Sequence, residues 1–125
     1  MPTPEEVRAV VERYVDAQRR NDREAFLSVF HPEALMIDPV GAPPHQGVDA
    51  IGALFDGPRQ EAGELAFPDY TVIVCGHEAA LVMTVEARTA EGGISFDVVD
   101  TIEVGDDARI VQLRAFWDLS TAKPL

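Results

Sequence analysis

Cysteine is almost absent from this sequence, and that scarcity excludes two kinds of site. Cys75 is the single cysteine among 125 residues. An intramolecular disulfide therefore cannot form, and a zinc site built on several thiolates cannot be assembled. The three histidines, His31, His45 and His77, do not follow a metal-ligand spacing. The sequence predicts no metal site.

Basic residues are also scarce. The chain has 10 lysines and arginines against 22 aspartates and glutamates, which gives a formal net charge of -12. Proteins that bind DNA or RNA use lysine and arginine patches to neutralise the phosphates. We therefore expect no nucleic-acid partner for this chain.

Long apolar runs are missing, although 46% of the residues are hydrophobic. A transmembrane helix needs about 20 consecutive apolar residues, and no run approaches that length. The acidic start of the chain, Met1–Glu6, lacks the apolar core of a signal peptide. We expect a soluble, cytoplasmic protein whose residues 1–125 form one domain, since a chain of this length folds around a single core.

The sequence does contain helical segments followed by strands. Thr3 and Glu6 form the pattern of a capping box, and the helix that follows has a complete apolar stripe made of Val7, Val10, Val11, Tyr14 and Val15. Three helices followed by a meander predict an α+β fold with a curled antiparallel sheet wrapped over the helices. The predicted elements are helices over 3–21, 23–30 and 48–55, strands over 35–38, 70–75, 79–88, 94–104 and 109–119, and loops over 40–47 and 57–69.

Asp38 lies at the end of the first predicted strand. Ala34 and Met36 precede it at a period of two residues, so Asp38 continues an apolar face. Pro39 favours an extended backbone at the residue before it. The carboxylate can either stabilise an Asp-Pro turn through nearby backbone groups or face an apolar cavity.

Asp100 is the second carboxyl on an apolar face, and there it interrupts the apolar pattern. It is the one polar residue among those at even positions of its strand, which are Ile94, Phe96, Val98, Asp100, Ile102 and Val104. A buried carboxyl must pair with a cation or keep its proton. The neighbouring strands offer Arg88, Arg109 and Arg114 as the cation, although Arg114 lies on the polar face of its own strand. Both an ion pair and a neutral acid remain open.

Tyr14 is the third polar group on an apolar face. Alone, it would be an ordinary core tyrosine whose hydroxyl bonds a carbonyl. Together, Tyr14, Asp38 and Asp100 match a known catalytic pattern, in which one carboxylate is the base and a neutral carboxyl donates a hydrogen bond. A phenol beside the neutral acid completes a two-donor oxyanion hole. Such a site could enolise a ketone in an apolar cavity without a metal or a cofactor.

The chain resembles the Δ5-3-ketosteroid isomerases, which have the cone-shaped fold of nuclear transport factor 2. The resemblance rests on four segments, 11–15, 38–41, 99–100 and 114–117, which match that family in order and spacing over nearly the whole chain. It implies three N-terminal helices packed on a curved antiparallel sheet, and a homodimer.

The resemblance also implies a role for each residue. Asp38 is similar to the general base of the family, Tyr14 to its main oxyanion donor, and Asp100 to its protonated second donor. The residues similar to those that line the steroid pocket are Phe55, Met83, Leu113 and Trp117. The implied reaction moves the double bond of a 3-oxo-Δ5-steroid to the conjugated Δ4 position, so the partner is a small hydrophobic steroid-like ketone, and no cofactor takes part.

The chain departs from the family pattern at three positions. Phe55 lies where family members can carry a tyrosine that bonds the oxyanion tyrosine, and Phe30 lacks another such hydroxyl. Ala87 lies near a position that can be aromatic, which implies a roomier pocket. The fold also hosts polyketide cyclases, dehydratases, epoxide hydrolases and binding proteins. The alternatives are therefore a SnoaL-like polyketide cyclase and a non-catalytic protein that binds a small hydrophobic ligand.

Overall fold

The computed structural model describes the backbone of residues 1–125 and every side chain except that of Ala62. Within this described backbone, three helices pack on one face of a strongly curled sheet, so the predicted α+β class and cone-shaped fold are confirmed. The helices are α1 (Pro4–Arg19), α2 (Arg23–Ser28) and α3 (Val48–Ala62). The strands are β1 (Phe30–Ile37), β2 (His45–Gln46), β3 (Glu64–Ala66), β4 (Tyr70–Cys75), β5 (Glu78–Thr89), β6 (Gly92–Val104), β7 (Ile110–Phe116) and β8 (Lys123–Pro124).

The first helix begins as its sequence predicts. The Thr3 hydroxyl accepts a hydrogen bond from the Glu6 backbone N–H at 3.2 Å, and the Glu6 carboxylate accepts one from the Thr3 N–H at 2.9 Å. The apolar stripe of the helix is buried against the sheet, and only 3% of Tyr14 is exposed. This packing fixes the Tyr14 side chain on the inner face of α1.

The sheet is antiparallel, as predicted, except for one parallel pair of strands. Its hydrogen-bonded order is β2-β1-β7-β6-β5-β3, with β4 paired to β5 and β8 paired to β6. The meander β5-β6-β7 is antiparallel as predicted, but β1 runs parallel to β7. This parallel pair sets Ile37 opposite Arg114 and brings the end of β1 beside the end of β7. The segment with Asp38 thereby meets the segment with Trp117.

The predicted loop over 57–69 was wrong. The helix α3 continues through Gly57 and Pro58, and β3 pairs with β5 farther along. A proline inside a helix lacks an amide donor and usually ends it. Gly57 reduces that penalty because it has no Cβ to collide with the Pro58 ring. The longer helix carries Arg59 to the inner side of the fold.

Other element boundaries also differ from the prediction. The second helix ends at Ser28, and β1 begins at Phe30 because that end of the strand pairs with Ile110 of β7. Residues 45–46, expected to lie in a loop, pair with β1 as β2. The last long strand ends at Phe116 instead of continuing to residue 119.

None of the described helices is long and apolar enough to cross a membrane.

Candidate active site

A cavity of about 760 Å³ lies between the helices and the inner face of the sheet. This volume falls in the range of small-molecule sites, roughly 300–1,000 Å³. Its wall is mainly apolar and includes side chains from all three helices and from β1, β3, β5 and β6. The polar or charged residues of the wall are Tyr14, Gln18, Asp38, Arg59 and Asp100, together with Glu61, Thr89 and Glu91, which are exposed at the protein surface.

Asp100 lies in the middle of β6, between Leu81 of β5 and Ala115 of β7. It is 1% exposed and is the single buried charged residue among the side chains that the structure describes. Its Oδ2 atom has no hydrogen-bond partner in this described set. The alternating pattern of β6 placed Asp100 on the apolar face, and the structure agrees with that placement.

None of the three candidate arginines forms an ion pair with Asp100. Arg114 extends over the Phe116 ring, with 5.4 Å between its guanidinium carbon and the ring centroid. Arg88 pairs with Glu86 and Arg109 with Asp107, both at the protein surface. Asp100 therefore makes no ion pair with any described residue, and of the two alternatives the neutral acid remains.

Burial raises the pKa of Asp100 well above its ordinary value of 3.8, because the ionised form would lose its hydration. The negative charge of Asp38 raises this pKa further, and the Tyr14 hydroxyl acts in the opposite direction. The physical consequence is that Asp100 favours its neutral form, which can donate a hydrogen bond.

Tyr14 is the second donor beside this carboxyl. Burial raises its pKa well above 10.0, the charges of Asp100 and Asp38 add to that shift, and the charge of Arg59 opposes it. The hydroxyl is close enough to Asp100 to act on the pKa of the carboxyl as a hydrogen-bond partner, and Asp100 Oδ2 has no partner among the described groups. Two neutral donors therefore lie side by side in the cavity wall, which suits an oxygen atom of a ligand.

The Tyr14 ring is positioned by aromatic packing. Its centroid lies 5.4 Å from the Phe26 ring and 5.9 Å from the Phe30 ring, the latter edge-on. The Phe55 ring packs on Phe26 at 4.8 Å. Because Phe30 and Phe55 have no hydroxyl, they hold the phenol by shape and contribute no hydrogen bond to it.

Asp38 follows β1 directly and is half-buried, as its place on an apolar face predicts. The indole Nε1–H of Trp117 donates a hydrogen bond to Asp38 Oδ1 at 2.6 Å. The Val40 N–H donates to the carbonyl oxygen of Ala115 at 2.9 Å, which fixes the turn after Asp38 against β7. Among the described groups, Oδ2 of Asp38 has no hydrogen-bond donor, so one carboxylate oxygen is held and the other is available.

The four predicted pocket residues do not share one location. Phe55, Met83 and Trp117 lie in the cavity wall, although their contact with a substrate stays a prediction. Leu113 is not among the residues that line the cavity, and its contact with a substrate also stays a prediction. It is 1% exposed and pairs across the sheet with Met36 and Ile102, so it belongs to the hydrophobic core.

Sequence reasoning missed Gln18 and Arg59 in the cavity wall. Arg59 was assigned to a loop because α3 was expected to end before Pro58. The usable signal was the spacing of Ile51, Phe55 and Arg59, four residues apart, which places them on one helical face. Gln18 follows Tyr14 at the same spacing on α1.

Comparisons with known proteins agree with this fold. A model of the SnoaL-like domain matches residues 11–113. A steroid Delta-isomerase from Nocardioides simplex is 30% identical over 114 residues, which cover 90% of this chain and 89% of that protein. A Sinorhizobium meliloti protein assigned as a polyketide cyclase superposes with a TM-score of 0.72 at 25% identity, covering 86% of this chain and 94% of its own.

A second solved structure shares the fold more completely but the sequence less. It is an epoxide hydrolase/cyclase-like enzyme of pyran ring formation in the polyether salinomycin. It superposes with a TM-score of 0.81 at 18% identity and covers 97% of both chains. At that identity, the likeness concerns the fold alone.

The raised pKa of Asp100 predicts a pH dependence of stability. The folded chain retains a proton that the unfolded chain releases near pH 4, so the stabilisation is complete below that pH. It is lost as the pH rises toward the folded-state pKa, by at most about 1.4 kcal/mol per pH unit. Urea unfolding from about pH 4 to about pH 8 should therefore show a steeper fall for the native protein than for Asp100→Asn.

The control for this measurement is Asp97→Asn, which removes an exposed carboxylate on the other face of β6. Its unfolding free energy should follow the native pH curve. The charged or titratable groups that act on Asp100 are Asp38 and Tyr14, and the raised pKa of Tyr14 keeps it outside this pH range. Parallel curves for the native protein and Asp100→Asn would mean that Asp100 is ionised throughout.

Proposed function

The chain belongs to the SnoaL-like domain family, and from this membership and the cavity geometry we propose that it is a steroid Δ-isomerase. The proposed reaction moves the double bond of a 3-oxo-Δ5-steroid to the Δ4 position. The observation that carries the proposal is the buried, unpaired carboxyl of Asp100 beside the Tyr14 hydroxyl. The name of the 30% identical relative supports the same reaction.

Asp38 is the proposed general base. Its carboxylate takes a proton from C4 of the steroid, which gives a dienolate, and returns that proton to C6. The hydrogen bond from Trp117 Nε1 to Asp38 Oδ1 keeps the carboxylate in one orientation while Oδ2 acts on the substrate. One base serving both positions requires no other proton donor, so the transfer is intramolecular.

Tyr14 and protonated Asp100 are the proposed oxyanion hole. As the proton leaves C4, negative charge develops on the C3 oxygen, and two donors that are already in place stabilise it. Neutral Asp100 can donate to that oxygen, whereas an ionised Asp100 would repel it. This division into a base carboxylate and a neutral acid is the one known for the ketosteroid isomerases.

The apolar wall supports the same chemistry. A steroid that fills this cavity displaces its water, so the hydrogen bonds to the developing oxyanion are worth more than they would be in solvent. Phe55, Met83 and Trp117 offer apolar surface to the rings of a steroid. All the groups that the mechanism uses are side chains of this chain.

The homodimer that the family resemblance implies is part of the same proposal.

A polyketide cyclase is the second candidate function. It is favoured by the superposition on the Sinorhizobium meliloti protein, which has a TM-score of 0.72 and 25% identity. A cyclase could use the same base and the same two donors to make an enolate that attacks a second carbonyl. A non-catalytic binding protein is less well supported, since a buried acid without a partner costs stability. Turnover of a Δ5-3-ketosteroid, followed at the absorbance of the enone product, separates the isomerase from both.

Asp38→Asn should lower the turnover of a Δ5-3-ketosteroid by about 10²–10⁴-fold, because the amide cannot accept the C4 proton. Affinity for a phenolic steroid should change little, since the phenol contacts Tyr14 and Asp100. Asp97→Asn removes the same charge from an exposed position and should retain full turnover. Near-native turnover of Asp38→Asn would refute its role as the base.

Tyr14→Phe should lower turnover by about 10²–10³-fold, as expected for the loss of one oxyanion donor. The lower part of that range is expected, because no hydroxyl on Phe30 or Phe55 supports the tyrosine. Tyr70→Phe is the matched control, since Tyr70 is the other tyrosine and lies outside the cavity wall. A loss below about threefold in a folded Tyr14→Phe protein would identify Tyr14 as an ordinary core residue.

A further inference from the structure

Arg59 brings a positive charge into the cavity of a protein whose formal net charge is -12. Its guanidinium carbon lies 3.6 Å from the centroid of the Phe55 ring. The Arg59 Nε–H donates to Asn21 Oδ1 at 2.6 Å, and Nη1 donates to the Phe55 carbonyl oxygen at 2.9 Å. These contacts hold the guanidinium rigidly against the cavity wall.

The third nitrogen of this guanidinium, Nη2, has no hydrogen-bond partner in the described part of the chain. Arg59 Nη2 is buried and makes no hydrogen bond to any described residue. Buried charged groups are normally paired, because an unpaired donor costs its lost hydration. Arg59 is therefore a rigid cation with one donor that has no acceptor. A ligand in the cavity can supply that acceptor.

No carboxylate of the described side chains neutralises Arg59 in an ion pair. Two acids of its own helix lie near it in sequence: Asp56 is paired with Arg23, whose Nε lies 2.9 Å from Asp56 Oδ1, and Glu61 is exposed. Burial lowers the pKa of Arg59, and the neighbouring Tyr14 and Asp56 only partly oppose that effect. An arginine retains its charge under such conditions, so Arg59 brings a positive charge to the wall.

Gln18 adds a second polar group to the wall. Its Oε1 atom is buried and has no hydrogen-bond partner among the described residues. The oxygen and nitrogen of a glutamine amide exchange places by a half-turn of the side chain, so Gln18 can present either a donor or an acceptor. Like Arg59, it is unused by the proposed proton transfer.

We propose that the substrate of this cavity carries a carboxylate in addition to its ketone, and that Arg59 binds this carboxylate with help from Gln18. A carboxylate is the planar acceptor that matches a guanidinium. The charge of Arg59 acts on Tyr14, so these two groups lie close together in the wall. The carboxylate therefore binds at Arg59, near Tyr14. This inference rests on the proposed function only in taking the cavity as the substrate site.

The test compares two fluorescent probes by equilibrium titration at one fixed ionic strength. One probe is a plain naphthol, and the other is the hydroxynaphthoate that carries a carboxylate on its second ring. The native protein should bind the carboxylate probe at least about tenfold more tightly, as expected for a charge-assisted hydrogen bond. In Arg59→Met this preference should disappear, while the affinity for the plain naphthol stays within about threefold.

Two further variants complete the comparison. Arg20→Met removes the same charge at the surface, where Arg20 pairs with Asp16 and Asp22, and should keep the native preference. Arg59→Lys keeps the charge without the planar fork and should retain part of the preference. It also keeps the inference testable if Arg59→Met does not fold. Equal affinity of the native protein for both probes would overturn the inference, as would an equal loss of both affinities in the folded Arg59 variants.

The titration separates this inference from the proposed function because it needs no turnover. A protein that isomerises a neutral steroid ketone but lacks the carboxylate preference refutes the role of Arg59 and leaves the isomerase standing. A protein with the preference that depends on Arg59, but without isomerase turnover, supports the anionic ligand and refutes the isomerase.

Discussion

The burial of the Asp100 carboxyl without a cation is the constraint on which the rest of the cavity depends. The group lies in the middle of a central strand, flanked by paired strands on both sides, so it cannot turn out to solvent. Desolvation therefore favours its neutral form, and the charge of Asp38 acts in the same direction. A neutral acid next to a neutral phenol gives a donor pair, and a donor pair in an apolar cavity favours a ligand oxygen that gains negative charge.

The core offsets the cost of this arrangement. A buried polar atom without a partner costs about 1–3 kcal/mol. Burial of one large apolar side chain contributes about 1.5–3 kcal/mol, and the buried side chains near Asp100 include Ile102 on the same strand and Leu81 and Leu113 on the two neighbouring strands. One or two such side chains therefore balance the unpaired carboxyl. In the cavity wall, an aromatic cluster positions Tyr14 by packing. A single hydrogen bond from the Trp117 indole orients Asp38.

The sequence predicted the features that depend on periodicity within one element. The stripe of α1 placed Tyr14 inward, and the alternation of β6 placed Asp100 inward, because each pattern is local. Contacts between distant segments were not predictable in this way. The Trp117–Asp38 hydrogen bond spans 79 positions and depends on the parallel pairing of β1 with β7, which no local pattern encodes. Arg59 was missed because a glycine before a proline let α3 continue where a proline usually ends a helix.

The protonation state of Asp100 in the folded protein is measured most directly by carbon-13 NMR of its side-chain carboxyl. Aspartate labelled at that carbon identifies the signal, since it is missing from the spectrum of Asp100→Asn. We expect the chemical shift of a protonated acid to persist from about pH 5 through about pH 7, well above the range in which an ordinary aspartate ionises. A carboxylate shift for Asp100 at about pH 7 would contradict the donor role and with it the proposed oxyanion hole.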